Sequence, residues 1–168
     1  MFNNLKINHK APEFELSGYF QGTTNQVFKS SDYLGKWIVL FFYPADFTGI
    51  CGSEVEAFQA NLNLFKEKNV EVFSCSTDSV YSHQAWAKQL GGIDYVMLSD
   101  SHHATSLDYN VFMDDSAMAL RGTFIIDPEG KLKWFCISDM AIGRSTDEVL
   151  RIIDALQSGT TCEANWKK

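Results

Sequence analysis

The sequence predicts an α/β domain with a mixed central sheet flanked by helices. Three observations carry that prediction. Residues Trp37 to Tyr43 form a continuous apolar, β-rich run that stops at Pro44, the pattern of a central strand buried on both faces. Apolar residues at offsets of three and four follow it, the pattern of a helix with one buried stripe. Strand-like and helix-like segments then alternate, and the pattern closes on a hairpin and a long helix.

In chain order, a loop leads from the first strand to Cys51. From Ser53, the residues Val55, Phe58, Leu62 and Phe65 mark a helix that ends near Asn69 and leaves Cys51 at its N-terminal end. Val70 to Ser76 reads as the next strand, Tyr81 to Leu90 as a helix closed by Gly91 and Gly92, and Tyr95 to Leu98 as a short strand. A short helix is expected around Thr105 to Tyr109. Thr123 to Ile126 and Leu132 to Ile137 flank Asp127, Pro128, Glu129 and Gly130, a turn sequence that predicts a hairpin. Ser145 with Glu148 offers a capping box, and Val149, Ile152, Ile153 and Leu156 supply the apolar stripe of the last helix. A thioredoxin-like arrangement fits this order.

With 168 residues, 45% of them hydrophobic, the chain suffices for one core, so residues 1–168 are read as a single domain. The net charge of −7 provides no broad basic field for nucleic acid or anionic membrane, so neither is expected as a partner. Met1 to Lys10 has no signal-peptide apolar region, and the longest apolar run is too short to span a bilayer. A cytoplasmic location is expected. His102 and His103 are adjacent while His9 and His83 lie apart, a spacing that fits no structural zinc site, and no metal or other cofactor is expected.

The four cysteines are too few for a disulfide framework, so each is read as a buried apolar residue or a reactive thiol. Cys75 and Cys136 lie mid-strand and are expected in the core. Cys51 is followed by Gly52, Ser53 and Glu54, without the second cysteine of a Cys-x-x-Cys redox pair. An ordinary thiol of pKa about 8.5 is only about 3% ionised at pH 7, and half ionisation takes roughly 2 kcal/mol of preferential anion stabilisation. Helix N-terminal N–H groups supply part of this and a touching arginine can supply the rest. Position alone leaves Cys51 open between a core residue and a nucleophile.

The run FYPADFTGIC, Phe42 through Cys51, resembles the peroxidatic loop of the peroxiredoxin family, with Pro44, Thr48 and Cys51 at the family's spacing. Arg121, opening RGTFIIDPEG, is similar to the family's active-site arginine. Asp78, Ser79, Ser82, His83 and Trp86 in DSVYSHQAW, and Gly143, Arg144 and Ser145, extend the likeness from about Ala11 to Trp166. Cys162, followed by Glu163, Ala164, Asn165 and Trp166, resembles the resolving-cysteine segment of typical 2-Cys peroxiredoxins of the alkyl hydroperoxide reductase C kind, here in the tail 159–168.

The resemblance implies a thiol-dependent peroxidase acting on hydrogen peroxide and organic hydroperoxides. In that reading Cys51 is the nucleophile that becomes a sulfenic acid, and Arg121 stabilises the developing charge. Thr48 aligns the peroxide, Pro44 shields the site from water, and Glu54 and Arg144 orient Arg121. Cys162 of a partner chain forms an intersubunit disulfide with Cys51. A homodimer, or a decamer of such dimers, and a dithiol reductant (thioredoxin, a flavoprotein reductase or another dithiol protein) are the implied partners. The alternatives are a chaperone-type holdase and a thioredoxin-like electron carrier. Two departures from the family's pattern stand out: Gly52 replaces the usual Pro after the cysteine, and Gly49 stands where Phe is common. Gly in a first helical turn costs up to about 1 kcal/mol relative to Ala, so easier unwinding around Cys51 is expected. The missing Phe removes packing that in relatives joins dimers into rings, which weighs against the decamer.

Overall fold

A computed structural model describes residues 5–168. The chain opens with a hairpin, β1 (Glu15–Phe20) and β2 (Thr23–Lys29), then a short 3-10 turn, Ser30–Tyr33. There follow β3 (Trp37–Phe42), α1 (Gly49–Ala60), α2 (Leu62–Glu67), β4 (Val70–Ser76), α3 (Val80–Gln89), β5 (Val96–Ser99) and α4 (Ala104–Asp108). The two-residue strands β6 (Phe112–Met113) and β7 (Met118–Ala119) precede β8 (Arg121–Ile126), β9 (Leu132–Ser138) and α5 (Thr146–Ser158).

The main sheet has seven strands in the order β2-β1-β5-β4-β3-β8-β9. β3 is parallel to β4, and β4 to β5, whereas β8 pairs antiparallel with both β3 and β9. The alternation of β3 divides its side chains between two cores. Val39 and Phe41 join Val55, Phe58, Phe65, Trp86, Val149 and Ile153 from the helices on one face. Ile38, Leu40 and Phe42 join Phe14, Tyr109, Val111 and Phe124 on the other. This double coverage is why the run reads as uninterrupted apolar sequence.

The sequence-predicted helix from Ser53 to Asn69 is two helices. The ladder breaks at Asn61, whose side-chain amide donates to Ala57 O and to Thr146 Oγ1, tying the break to the start of α5. The buried stripe runs through the break, so Val55, Phe58, Leu62 and Phe65 all reach the core. α1 also begins earlier than the apolar stripe indicates, at Gly49, which puts Cys51 inside its first turn. Ser79 and Ser145 cap α3 and α5, their hydroxyls accepting from Ser82 N and Glu148 N. The turn after β8 is closed by the Asp127 carboxylate, which accepts from the N–H groups of Glu129 and Lys131.

Cys136 corrects an expectation. It is exposed, whereas Cys75 is buried as expected. Mid-strand position implies burial only where both neighbours and both faces are covered, and β9 is the outermost strand of the sheet. Trp134, on the same face of β9, still packs against the helical core. Cys136, two residues farther along the strand, is left beyond that cover.

β8 also carries a strand position where only glycine fits. A Cβ on Gly122 would sit 2.7 Å from Val111 Cγ1 and 2.8 Å from Phe124 Cε2, both on fully buried side chains. Gly122→Ala is therefore expected to destabilise the protein by about 1–3 kcal/mol through overpacking, read as a lower urea midpoint with an unchanged m-value.

Candidate active site

The end of β3, the start of α1, the start of β8 and the 139–145 loop before α5 converge on Cys51. Pro44 and Asp46 are buried at the exit from β3, while Phe47, Thr48, Gly49 and Ile50 are exposed. Phe47 holds a left-handed backbone, φ 59°, a conformation that costs a non-glycine residue energy and turns the chain sharply into the helix. Thr48 is the N-cap residue of α1, but its hydroxyl does not cap; it donates back to Ala45 O at 2.8 Å. That leaves the oxygen lone pairs turned outward as acceptors. Gly52 N bonds to Thr48 O at 2.8 Å, closing the first turn around Cys51.

The Cys51 sulfur is buried and receives Arg121 Nη1 at 3.4 Å. The same guanidinium nitrogen donates to Glu54 Oε2 at 2.7 Å, and Arg121 Nε donates to Met140 O at 2.8 Å, so the arginine is fixed from two sides. Glu54 is one turn along α1 from Cys51. Its carboxylate also accepts from Arg144, at Oε1 from the backbone N–H and from Nε, and at Oε2 from Nη2. Arg144 spends its remaining donors on Gly122 O, Thr123 Oγ1 and Phe42 O, and its guanidinium lies 5.0 Å from the centroid of the Phe41 ring.

Two guanidiniums against one carboxylate leave a local excess of one positive charge beside the sulfur. Burial depresses the Arg144 pKa, while Glu54, and more weakly the sulfur, hold it up. The buried cluster thus presents fixed positive charge and a directed guanidinium donor to Cys51.

The sequence-derived residues Cys51, Arg121, Glu54 and Arg144 form one bonded cluster, and Pro44 and Thr48 border it on the loop. Cys162 is not part of it. Its half-buried sulfur lies beside α5, donating weakly to Ala155 O at 3.8 Å and Thr160 O at 3.6 Å, and it is a free thiol like Cys51. Arg151 on α5 donates to Trp166 O at 3.2 Å and holds the tail alongside the helix. Sequence reading did not assign roles to Met140, whose contribution is a carbonyl and leaves no residue-type signal. Nor did it assign one to the buried pair of Asp46 and His83, although both lie in the motifs singled out. No grouping of three or more His, Cys, Asp or Glu side chains suited to a metal occurs among the described residues.

Comparison with known proteins gives the family of the chain. The chain matches the model of the AhpC/TSA family over residues 7–135. It is 42% identical to peroxiredoxin tpx1 of Schizosaccharomyces pombe, covering 98% of this chain and 91% of that one. It is also 42% identical to a thioredoxin peroxidase of Echinococcus granulosus, covering 96% of this chain and 88% of that one. The reduced 2-Cys peroxiredoxin of Plasmodium vivax superposes with a TM-score of 0.90 at 41% identity, covering 96% of this chain and 89% of the other. Enterococcus faecalis AhpC superposes with a TM-score of 0.88 at 38% identity, covering 95% and 100%. A thioredoxin-like fold with a lone thiol held against an arginine at a helix start defines a thiol peroxidase scaffold. The chain belongs to the AhpC/TSA family of peroxiredoxins.

Two outcomes test the site as built. Glu54→Gln keeps the shape but leaves two buried guanidiniums without their counter-ion, so a loss of about 3–5 kcal/mol in urea unfolding is expected. Burial, reinforced by the charge of Asp100, pushes the Cys75 thiol well above its ordinary pKa. Cys75 should stay unlabelled when the native reduced protein is treated with iodoacetamide at neutral pH, while the exposed Cys136 is alkylated, as peptide mass spectrometry would read.

Proposed function

We propose that this chain reduces hydrogen peroxide and organic hydroperoxides by a two-cysteine mechanism in which Cys51 is oxidised and Cys162 of a second copy resolves it. The observation that carries the reading is the Cys51 sulfur at 3.4 Å from Arg121 Nη1 in the first turn of a helix. There the sulfur faces fixed positive charge at a helix start, and the thiolate is the species that attacks peroxide. The Cys51 thiolate attacks the terminal peroxide oxygen along the O–O axis, and the sulfur–oxygen bond forms as the O–O bond breaks. Two electrons pass from sulfur to the peroxide. The leaving oxygen takes up a proton and departs as water or alcohol, and Cys51 becomes a sulfenic acid.

Thr48 accepts a hydrogen bond from the peroxide's O–H on an oxygen whose own hydrogen is committed to Ala45 O. Arg121, locked by Glu54 and Met140 O, donates to the oxygens on which charge develops, so its position costs no reorganisation at the moment of reaction. Pro44 supplies a buried wall without an N–H to hold water.

Resolution is a condensation: the Cys162 thiolate attacks the sulfenic sulfur, water leaves, and a disulfide remains. Cα atoms must come within about 7 Å, so the first turn of α1 has to unwind and expose Cys51. Both glycines of that turn favour unwinding. Cys162 is held by weak bonds to its own segment, which suits a thiol that is handed to another copy in a homodimer. A thioredoxin-type dithiol then reduces the disulfide by exchange.

Non-reducing electrophoresis after one equivalent of hydrogen peroxide should give a covalent dimer, absent in Cys51→Ser and in Cys162→Ser. Cys51→Ser should also abolish peroxide consumption. An oxidised product that migrates as a monomer would instead mean that Cys162 of a partner is not the resolving thiol.

A further inference from the structure

Behind the reactive loop lies a second buried polar cluster that the chemistry above does not use. Asp46 sits on the loop itself, two residues before Thr48, and His83 sits on α3; their side chains are 1% and 0% exposed. His83 Nδ1 lies 2.8 Å from Asp46 Oδ2, and its Nε2 lies 3.0 Å from Leu98 O on β5. Both ring nitrogens thus lie within hydrogen-bond distance of an oxygen, which ties the ring to the loop on one side and to β5 on the other. The Asp46 carboxylate further accepts from Tyr43 Oη and Ser82 Oγ, each at 2.7 Å, while the Asp46 backbone N–H donates to Asp78 Oδ2 at 2.9 Å. Tyr43 Oη, 3.3 Å from His83 Nδ1, completes the ring of groups around the pair. One turn farther along α3, Trp86 packs against both Tyr43 and the strained Phe47.

The loop is thus held very unevenly. Up to Phe47 it is bonded from β3, α3 and, through Leu98, β5; from Gly49 on, a Cβ at either glycine would touch little or nothing, Gly49 having no atom within 4 Å and Gly52 only Trp86 at 3.8 Å. Unwinding the first turn of α1 gives up the burial of Cys51 and its contact with Arg121 but little packing at the two glycines. Pulling Asp46 out would break its hydrogen bonds with Tyr43, Ser82, His83 and Asp78 and leave buried polar groups unpaired, which is far costlier.

We propose that the Asp46–His83 pair is a positioning device for the peroxidase reaction: it anchors Thr48 and sets the N-terminal limit of the segment that unwinds for disulfide formation. The pair touches neither peroxide nor sulfur and acts through Thr48 and the helix start. This rests on the peroxidase reading, and it predicts that the two steps of the cycle respond in opposite directions when the anchor is loosened. Alignment suffers, so peroxide attack slows; the unwound state is reached more easily, so condensation with Cys162 speeds up.

The test uses the full chain with hydrogen peroxide and follows each step separately by stopped-flow and acid quench. In His83→Gln and Asp46→Asn the second-order rate of Cys51 oxidation should fall by on the order of tenfold or more, while the rate from sulfenic acid to disulfide rises. If either variant fails to fold, Tyr43→Phe, which removes the hydroxyl that meets Asp46 and His83 and keeps the ring, should give the same pattern at smaller amplitude. Hydrogen exchange on the wild-type disulfide form reads the limit directly: the Asp46 amide stays protected while residues 49–52 lose protection. Steps that slow together, or an Asp46 amide that exchanges freely in the wild-type disulfide form, would overturn the proposal. A wild-type protein that does not consume peroxide would instead refute the underlying peroxidase reading.

Discussion

The Glu54 carboxylate, buried one turn from Cys51, accepts three hydrogen bonds from Arg144 and one from Arg121, and the reactive end of the molecule is built around it. A carboxylate this deep is tolerable only because two guanidiniums surround it, and they in turn are tolerable only because it is there. Its two oxygens also settle geometry. A guanidinium is planar and directional, so fixing one edge of Arg121 on Glu54 and its Nε on Met140 O leaves a single direction in which a donor can face the sulfur. The same carboxylate joins α1 to the 139–145 loop, and Arg144 extends the link into β3 and β8 through Phe42 O, Gly122 O and Thr123 Oγ1. The charge that would favour the thiolate is therefore fastened to the sheet.

That rigidity meets an opposite requirement at the very next turn. Under the proposed cycle, a thiol that reacts while buried and is resolved while exposed would need a helix start that can melt without disturbing its surroundings. α1 meets this by leaving its first turn poorly supported: Thr48 gives its hydroxyl to Ala45 rather than to the helix, no acidic residue faces the helix dipole in that turn, and Gly49 and Gly52 bring little packing. Stability is concentrated one turn later, where Glu54, Val55 and Phe58 are buried, and Phe58 stacks on Phe41 at 4.1 Å. Low and high local stability lie side by side along one helix, the arrangement expected where part of an element must open locally.

Much of this was legible in the residues, and the exceptions have physical causes. β3, β4 and α3 could be read because a buried face imposes its period on the sequence. The N-terminal hairpin could not: its second strand buries only Phe28, so the apolar period is nearly absent. The break at Asn61 was hidden because the buried stripe continues through it, and hydrophobic spacing does not record a hydrogen bond from a side chain to the backbone. Cys136 was misjudged because strand order, which puts β9 at the edge, is a tertiary property that local sequence does not carry. In the site, Cys51, Arg121, Glu54 and Arg144 were found through the resemblance to the peroxiredoxin family, residue by residue. What no spacing could supply was that one carboxylate joins them.

The same contrast separates the four cysteines, which share a side chain and nothing else. Cys75 lies in the apolar core with a carboxylate as its nearest charge, so ionisation is opposed by desolvation and by Asp100 together. Cys136 is open to solvent on an edge strand, and Cys162 rests on weak bonds at the end of α5. Only Cys51 combines burial with an excess of positive charge: the Arg121 guanidinium faces its sulfur, whereas the charge that acts on Cys75 is the carboxylate of Asp100. Burial by itself therefore says nothing about whether a thiol is reactive. The sign of the fixed charge beside it decides, and in this fold that sign is set by the two arginines that Glu54 holds in place.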